Sequence, residues 1–235
     1  MAPDQILDPI QLRVLGSLIE KEITTPENYP LSLNSLIGAC NQRSSRDPVL
    51  DLTEDQVRQA IHSLEELALV TPVRDSRVPK YEHRARTVLN LRRDETAVLC
   101  LLFLRGPQTP GELRSRADRL FPFDDLAQVQ STLDRLAART ATDEGAQAPT
   151  GPLTIQLPRQ PGARESRFAH LLGGPPEVQP SVSTPSAPSA ASPSALTQLE
   201  SRLDQLTAQV QSLQQRLDML ERTSTLPVES PNRSL

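Results

Sequence analysis

The sequence predicts a mainly α fold with two small β wings and a C-terminal coiled coil. Three observations carry that reading. Val14-Leu15 through Thr25-Pro26 is echoed by Val98-Leu99 through Thr109-Pro110 at one constant offset. Lys80-Tyr81-Glu82-His83 is echoed by Arg167-Phe168-Ala169-His170, and each is preceded by an amphipathic segment, Val57-Ile61-Leu64 or Val129-Leu133-Leu136. Helix, helix, helix, strand pair thus occurs twice between Asp8 and Leu172, which is the order of a small winged helix. Tandem winged-helix domains over 1–90 and 91–172 are therefore expected. The third observation is an unbroken heptad stripe near the C-terminus.

The first helix opens at Asp8-Pro9. Asp8 caps, Pro9 suits the first helical position, and Gln11 completes a capping box. Leu12, Leu15, Leu18 and Ile19 share its inner face. Ser32 opens a short second helix with Leu33, Leu36, Ile37 and Cys40 inward. Thr53 with Gln56 is another capping box and starts the third helix, whose stripe is Val57, Ile61, Leu64, Leu67 and Ala68. Leu69 to Val73 and Pro79 to His83 flank the polar tip Arg74-Asp75-Ser76-Arg77, the expected first wing.

The second unit begins near Asp94. Its first helix, Thr96 to Arg105, is apolar all round, so it must be covered by the other domain or by a second chain. Thr109-Pro110-Gly111-Glu112 supplies cap, proline and capping-box Glu for the next helix, with Leu113, Ala117 and Leu120 inward. A third helix spans about Asp125 to Arg139. Leu153 to Leu157 and Ser166 to Leu171 make the second strand pair.

Residues 173–195 are Gly, Pro, Ser and Ala with little that is large and apolar. Such a segment cannot offset its ordering entropy by burial, so a disordered linker is expected. Beyond it, Leu196, Leu199, Leu203, Leu206, Val210, Leu213, Leu217 and Leu220 alternate spacings of three and four, the a/d pattern of a coiled coil over 196–222. A lone helix of that length is marginal in water, so the stripe needs a partner. A homodimer is the first expectation; packing back on the domains and pairing with another protein are the alternatives. Residues 223–235 remain as a disordered tail.

Composition excludes several classes. No apolar run is long enough to cross a bilayer, so no membrane span is expected. The N-terminus lacks the basic-then-apolar order of a signal peptide, which points to the cytoplasm. Cys40 and Cys100 lie in apolar helical contexts and are expected as buried, reduced thiols. There is no Gly-rich phosphate loop, nucleophile elbow or Cys/His grouping at ligand spacing. No catalytic residue, cofactor or metal is expected, and Glu20-Lys21-Glu22 resembles a solvated helix end. Tyr81 with His83, and Phe168 with His170, are expected as aromatics beside hydrogen-bonded histidines at a domain floor.

Net charge is −4, which by itself does not favour nucleic acid. Residues 74–93, however, hold seven basic side chains (Arg74, Arg77, Lys80, Arg84, Arg86, Arg92, Arg93) against Asp75 and Glu82, a local excess of five. Winged helices commonly bind duplex DNA, with the third helix in the major groove and the wing on phosphates. The candidate contacts are Arg43, Arg46, Arg58, Arg74, Arg77 and Lys80. Against them stands the third helix, whose outward side chains include Glu54, Asp55, Glu65 and Glu66; carboxylates are repelled by a phosphate lattice. A protein-interaction scaffold is the alternative function. The loop holding Arg43 and Arg46 suits phosphate or a partner's carboxylates; the other reading is a polar turn whose Arg46 pairs locally with Asp47 or Asp51.

Several stretches carry a resemblance. They are Arg13-Val14-Leu15-Gly16 with Leu18-Ile19-Glu20-Lys21-Glu22, Tyr29-Pro30-Leu31-Ser32-Leu33-Asn34, Ala39-Cys40-Asn41-Gln42, Ser76-Arg77-Val78-Pro79-Lys80-Tyr81-Glu82-His83, and Glu165 to Leu172. On these the chain from Met1 to Leu172 resembles the YceH-like family of uncharacterised bacterial proteins. The resemblance implies a pair of winged-helix domains and no established activity. The Ala/Gly-rich stretch at 140–151 looks longer than is usual in that family.

Overall fold

The computed structural model describes residues 6–73, 78–140 and 151–176, together with Gln211. Within them the protein is mainly helical with two small antiparallel sheets, consistent with a winged-helix-like fold.

Helix α1 (Pro9–Thr24) starts as its sequence dictates. The Asp8 carboxylate accepts from the amides of Ile10 and Gln11 at 2.7 and 2.8 Å, and Gln11 accepts from the Asp8 amide at 3.0 Å. Every residue from Leu12 to Ile19 is buried, not one face alone. The cause lies outside α1. It packs against α2 (Leu33–Cys40) and α3 (Glu54–Glu66), and also against α5 (Arg93–Arg105), far along the chain. Gly16 allows that close approach: a Cβ there would stand 3.0 Å from Leu104 and 3.1 Å from Phe103. The Cys100 thiol donates to the Gly16 carbonyl at 3.4 Å. These residues are 84 apart, the offset of the sequence echo, so positions matched by that echo meet each other. The all-apolar α5 is thereby covered within the same chain.

A two-residue strand, β1 (Leu31–Ser32), precedes α2. It joins β2 (Val70–Val73) and β3 (Lys80–His83) in the order β1-β3-β2, with Leu31 opposite Tyr81 and Val70 opposite His83. So short a strand shows no periodicity, so β1 is an addition to the two expected strands. The tip 74–77 lies outside the described residues. Helix α3 ends earlier than its apolar stripe suggested. Ala68 is exposed, at φ 56°, where its amide bonds Glu65 and that of Leu69 reaches back to Leu64, a Schellman closure.

A short α4 (Ala85–Val88) leads into α5, then α6 (Pro110–Ala117) and α7 (Leu126–Ala137). Thr109 and Glu112 form the expected capping box, and Asp125 caps α7. Strands β4 (Thr154–Gln156) and β5 (Phe168–His170) pair antiparallel, with Gln156 opposite Phe168. Gln108, just ahead of α6, forms a single bridge to Phe168, a one-residue counterpart of β1. One core runs without interruption from Leu15 and Leu64 to Leu102, Leu133 and Phe168. The heptad positions Leu196 to Leu220 lie outside the described residues, as does most of 173–195.

Candidate nucleic-acid interface

The candidate cations separate by what they already hold. Arg43 is exposed in the loop after α2. Arg46, farther along the same loop, is not a surface group. Its side chain has no exposed area and forms an ion pair with Glu20 at 2.5 Å. It also donates to the Ala39 carbonyl from two nitrogens, at 2.8 and 3.2 Å, and to the Ser45 carbonyl at 2.9 Å. The expected phosphate contact and the expected pairing with Asp47 or Asp51 are both replaced by this anchor. A guanidinium fork can serve a helix-end carbonyl and a carboxylate together, and the loop folds inward around it. The Asp47 amide continues the anchor by bonding the Leu104 carbonyl at 2.9 Å.

Arg58 is exposed on α3 but is paired with Glu54 one turn away. His62 lies 3.6 Å from Glu66 on the same helix. With Asp55 exposed as well, the outward surface of α3 is acidic. Arg135 of α7 pairs with Asp94 and, at 3.4 Å, with Glu95. Arg139 donates to the Leu89 and Asn90 carbonyls. Neither third helix thus offers an unengaged basic face.

Lys80 sits half-buried on β3, opposite Ser32 and Val73; Arg74 and Arg77 lie outside the described residues. The cations the candidate set lacked follow β3 directly. Arg84, Arg86, Arg92 and Arg93 are all exposed. Among the described residues, neither they nor Lys80 enter an ion pair. The signal for them was the local charge excess over 74–93, which extends past the wing.

The helix end Glu20-Lys21-Glu22 is not simply solvated. Glu20 holds Arg46, and Glu22 lies 2.8 Å from His83 Nε2. The hydrogen bond from His83 holds the Glu22 carboxyl below its ordinary range, against an opposing push from burial. The aromatic beside His83 is Tyr29, whose hydroxyl accepts from the His83 amide at 2.6 Å, rather than Tyr81. His170 meets the Phe103 ring edge-on at 5.1 Å. Its Nδ1 is buried without a hydrogen-bond partner, unlike the hydrogen-bonded histidine expected, and burial lowers its pKa to about 4. Cys40 and Cys100 are free, buried thiols, and burial pushes Cys40 up to about 11. Among the described residues no helix is long and apolar enough to cross a membrane.

Residues 7–163 match the model of a family described as "Protein of unknown function, DUF480". The chain belongs to this family. Curated relatives are similar to it over most of both chains. The UPF0502 protein of Aeromonas hydrophila is 46% identical over 224 residues, covering 92% of this chain and 98% of its own. That of Koribacter versatilis is 47% identical over 203 residues, 86% and 90% of the two chains. That of Geobacter sulfurreducens is 51% identical over 174 residues, 74% and 75%. A match over 92% of this chain must run past Val210. Likeness to the Aeromonas relative therefore extends well beyond Leu172.

Proposed function

We propose that this DUF480 protein is a DNA-associated, transcription-regulator-like protein of the bacterial cytoplasm. Two winged-helix units, 1–90 and 91–172, pack α1 on α5, and the heptad segment 196–222 joins two chains. The observation that carries this reading is the run Lys80, Arg84, Arg86, Arg92 and Arg93. These are five cations between positions 80 and 93, the four arginines exposed, none spent on an ion pair among the described residues. Elsewhere the chain uses Arg46, Arg135 and Arg139 inside its own fold.

On this reading the first wing and the segment after it grip phosphates, and α3 does not read bases. Phosphate contacts fix position without carrying sequence information, so binding is of low sequence selectivity. Each neutralised phosphate steepens the fall of log affinity with log salt by roughly 0.9. Replacing Lys80, Arg84 and Arg92 together by Ala is expected to make that dependence shallower by roughly 2–3 and to weaken all duplex sequences alike. Fluorescence anisotropy with two unrelated duplexes measures both effects. An unchanged slope removes this segment from the interface.

One observation favours a second reading. The acidic outward face of α3 suits a basic protein partner better than DNA, as in a scaffold that uses winged helices for protein contacts. Failure of the full chain to bind DNA at low salt selects it.

A further inference from the structure

Where the two units meet, the end of α1, α4, the start of α5 and the loop after α6 enclose a cleft of about 420 Å³. Ligand pockets fall in the range of roughly 300–1,000 Å³, with mostly apolar walls and a few placed polar groups. Ile23, Leu120, Phe121 and Pro122 supply the apolar wall, and Arg86 and Arg93 the charge. The Phe121 ring is braced edge-on against Phe123 at 4.9 Å. Glu22 also lines the cleft, held by His83. Among the lining side chains, two guanidiniums stand against one carboxylate, a single positive charge in excess. Thr96 is committed to the Arg92 carbonyl at 2.7 Å.

We propose that this cleft binds a small organic monoanion with a flat apolar body, an aryl carboxylate in chemical class. The carboxylate bridges Arg86 and Arg93, and the ring lies against Phe121 and Leu120. A guanidinium presents a planar fork that matches a carboxylate. The apolar wall excludes inorganic phosphate as the preferred occupant, because that dianion leaves the wall uncovered. The site does not require the DNA reading, although both involve Arg86 and Arg93.

Calorimetric titration of the full chain with 1-naphthoate, without DNA, tests it. Saturable one-to-one binding is expected. The neutral analogue 1-naphthalenemethanol should bind at least tenfold more weakly, and so should 1-naphthoate to the Arg86→Ala/Arg93→Ala chain. Both arginines are exposed and outside any ion pair among the described residues, so this variant should keep the parent melting temperature. Absence of saturable binding at millimolar 1-naphthoate overturns the proposal. So does equal affinity for the neutral analogue, or equal affinity in the double variant. None of these outcomes bears on DNA binding through Lys80, Arg84 and Arg92.

Discussion

Replacing Arg46 by Ala separates a structural arginine from a DNA-contacting one. The substitution strands the Glu20 carboxylate, whose side chain is 15% exposed, and frees the Ala39 carbonyl in the last turn of α2. Removing one partner of a buried pair costs roughly 3–5 kcal/mol. Glu20 keeps a route to water, and Lys21 Nζ lies 3.9 Å from it, so the lower end, about 3 kcal/mol, is expected. For a folded unit of this size each kcal/mol is worth roughly 2–4 °C, giving a fall of about 6–12 °C in melting temperature. Arg46→Lys should recover little, because an ammonium cannot serve Ala39, Ser45 and Glu20 at once. Glu20→Gln should cost less, about 1–3 kcal/mol, and the double variant should fall short of the sum. Thermal unfolding followed by circular dichroism, with urea titration beside it, reads all four chains. An Arg46→Ala protein that melts with the parent yet binds DNA more weakly would refute the anchor and return Arg46 to the surface.

Three further outcomes follow from the packing and the tail. Gly16→Val drives new methyl groups into Leu104 and Phe103, atoms that already stand 3.0–3.1 Å from an added Cβ; overpacking of this kind costs roughly 1–3 kcal/mol, and a urea midpoint equal to the parent's would show that α1 and α5 are not in close contact. His170 has a folded pKa of about 4 against roughly 6.5 in an unfolded chain. The unfolded state therefore takes up the proton first, and stability falls as pH drops from about 6.5 towards 4, by up to roughly 3 kcal/mol. His170→Leu should flatten that part of the urea-midpoint profile, and an equally steep profile contradicts the buried neutral ring. A chain ending at Ala195 should lose self-association, and Leu206→Glu should act almost as strongly, because each chain would bury a carboxylate in the seam; light scattering that finds the full chain monomeric at micromolar concentration rules out a homodimer.

Local signals were legible and remote ones were not. Asp8 with Gln11, Thr53 with Gln56 and Thr109 with Glu112 are capping boxes whose partners are close neighbours in sequence, and each starts a helix where expected. The breadth of burial in α1 was hidden, because its second covering surface comes from α5, far along the chain. The loop holding Arg43 and Arg46 looks uniformly polar in sequence. Only the positions of Glu20 and Ala39 show that one arginine turns inward and the other outward. Glu22 and His83 meet across a separation of 61 in sequence for the same reason. Ala68 fitted an apolar stripe, but the stripe outlasted the helix, and a left-handed Ala closes it. The basic segment was visible as charge. That Arg84, Arg86, Arg92 and Arg93 stay outside the ion pairs of the described residues needed the structure.

DNA association is tested most directly by the affinity of the full chain for a random-sequence duplex, measured by anisotropy over a salt series. Binding at low salt is expected, with log affinity falling linearly with log salt at a slope of about −3 to −5 for four or five phosphate contacts at roughly 0.9 each. Absence of binding at the lowest salt, or affinity that does not change with salt, would contradict it.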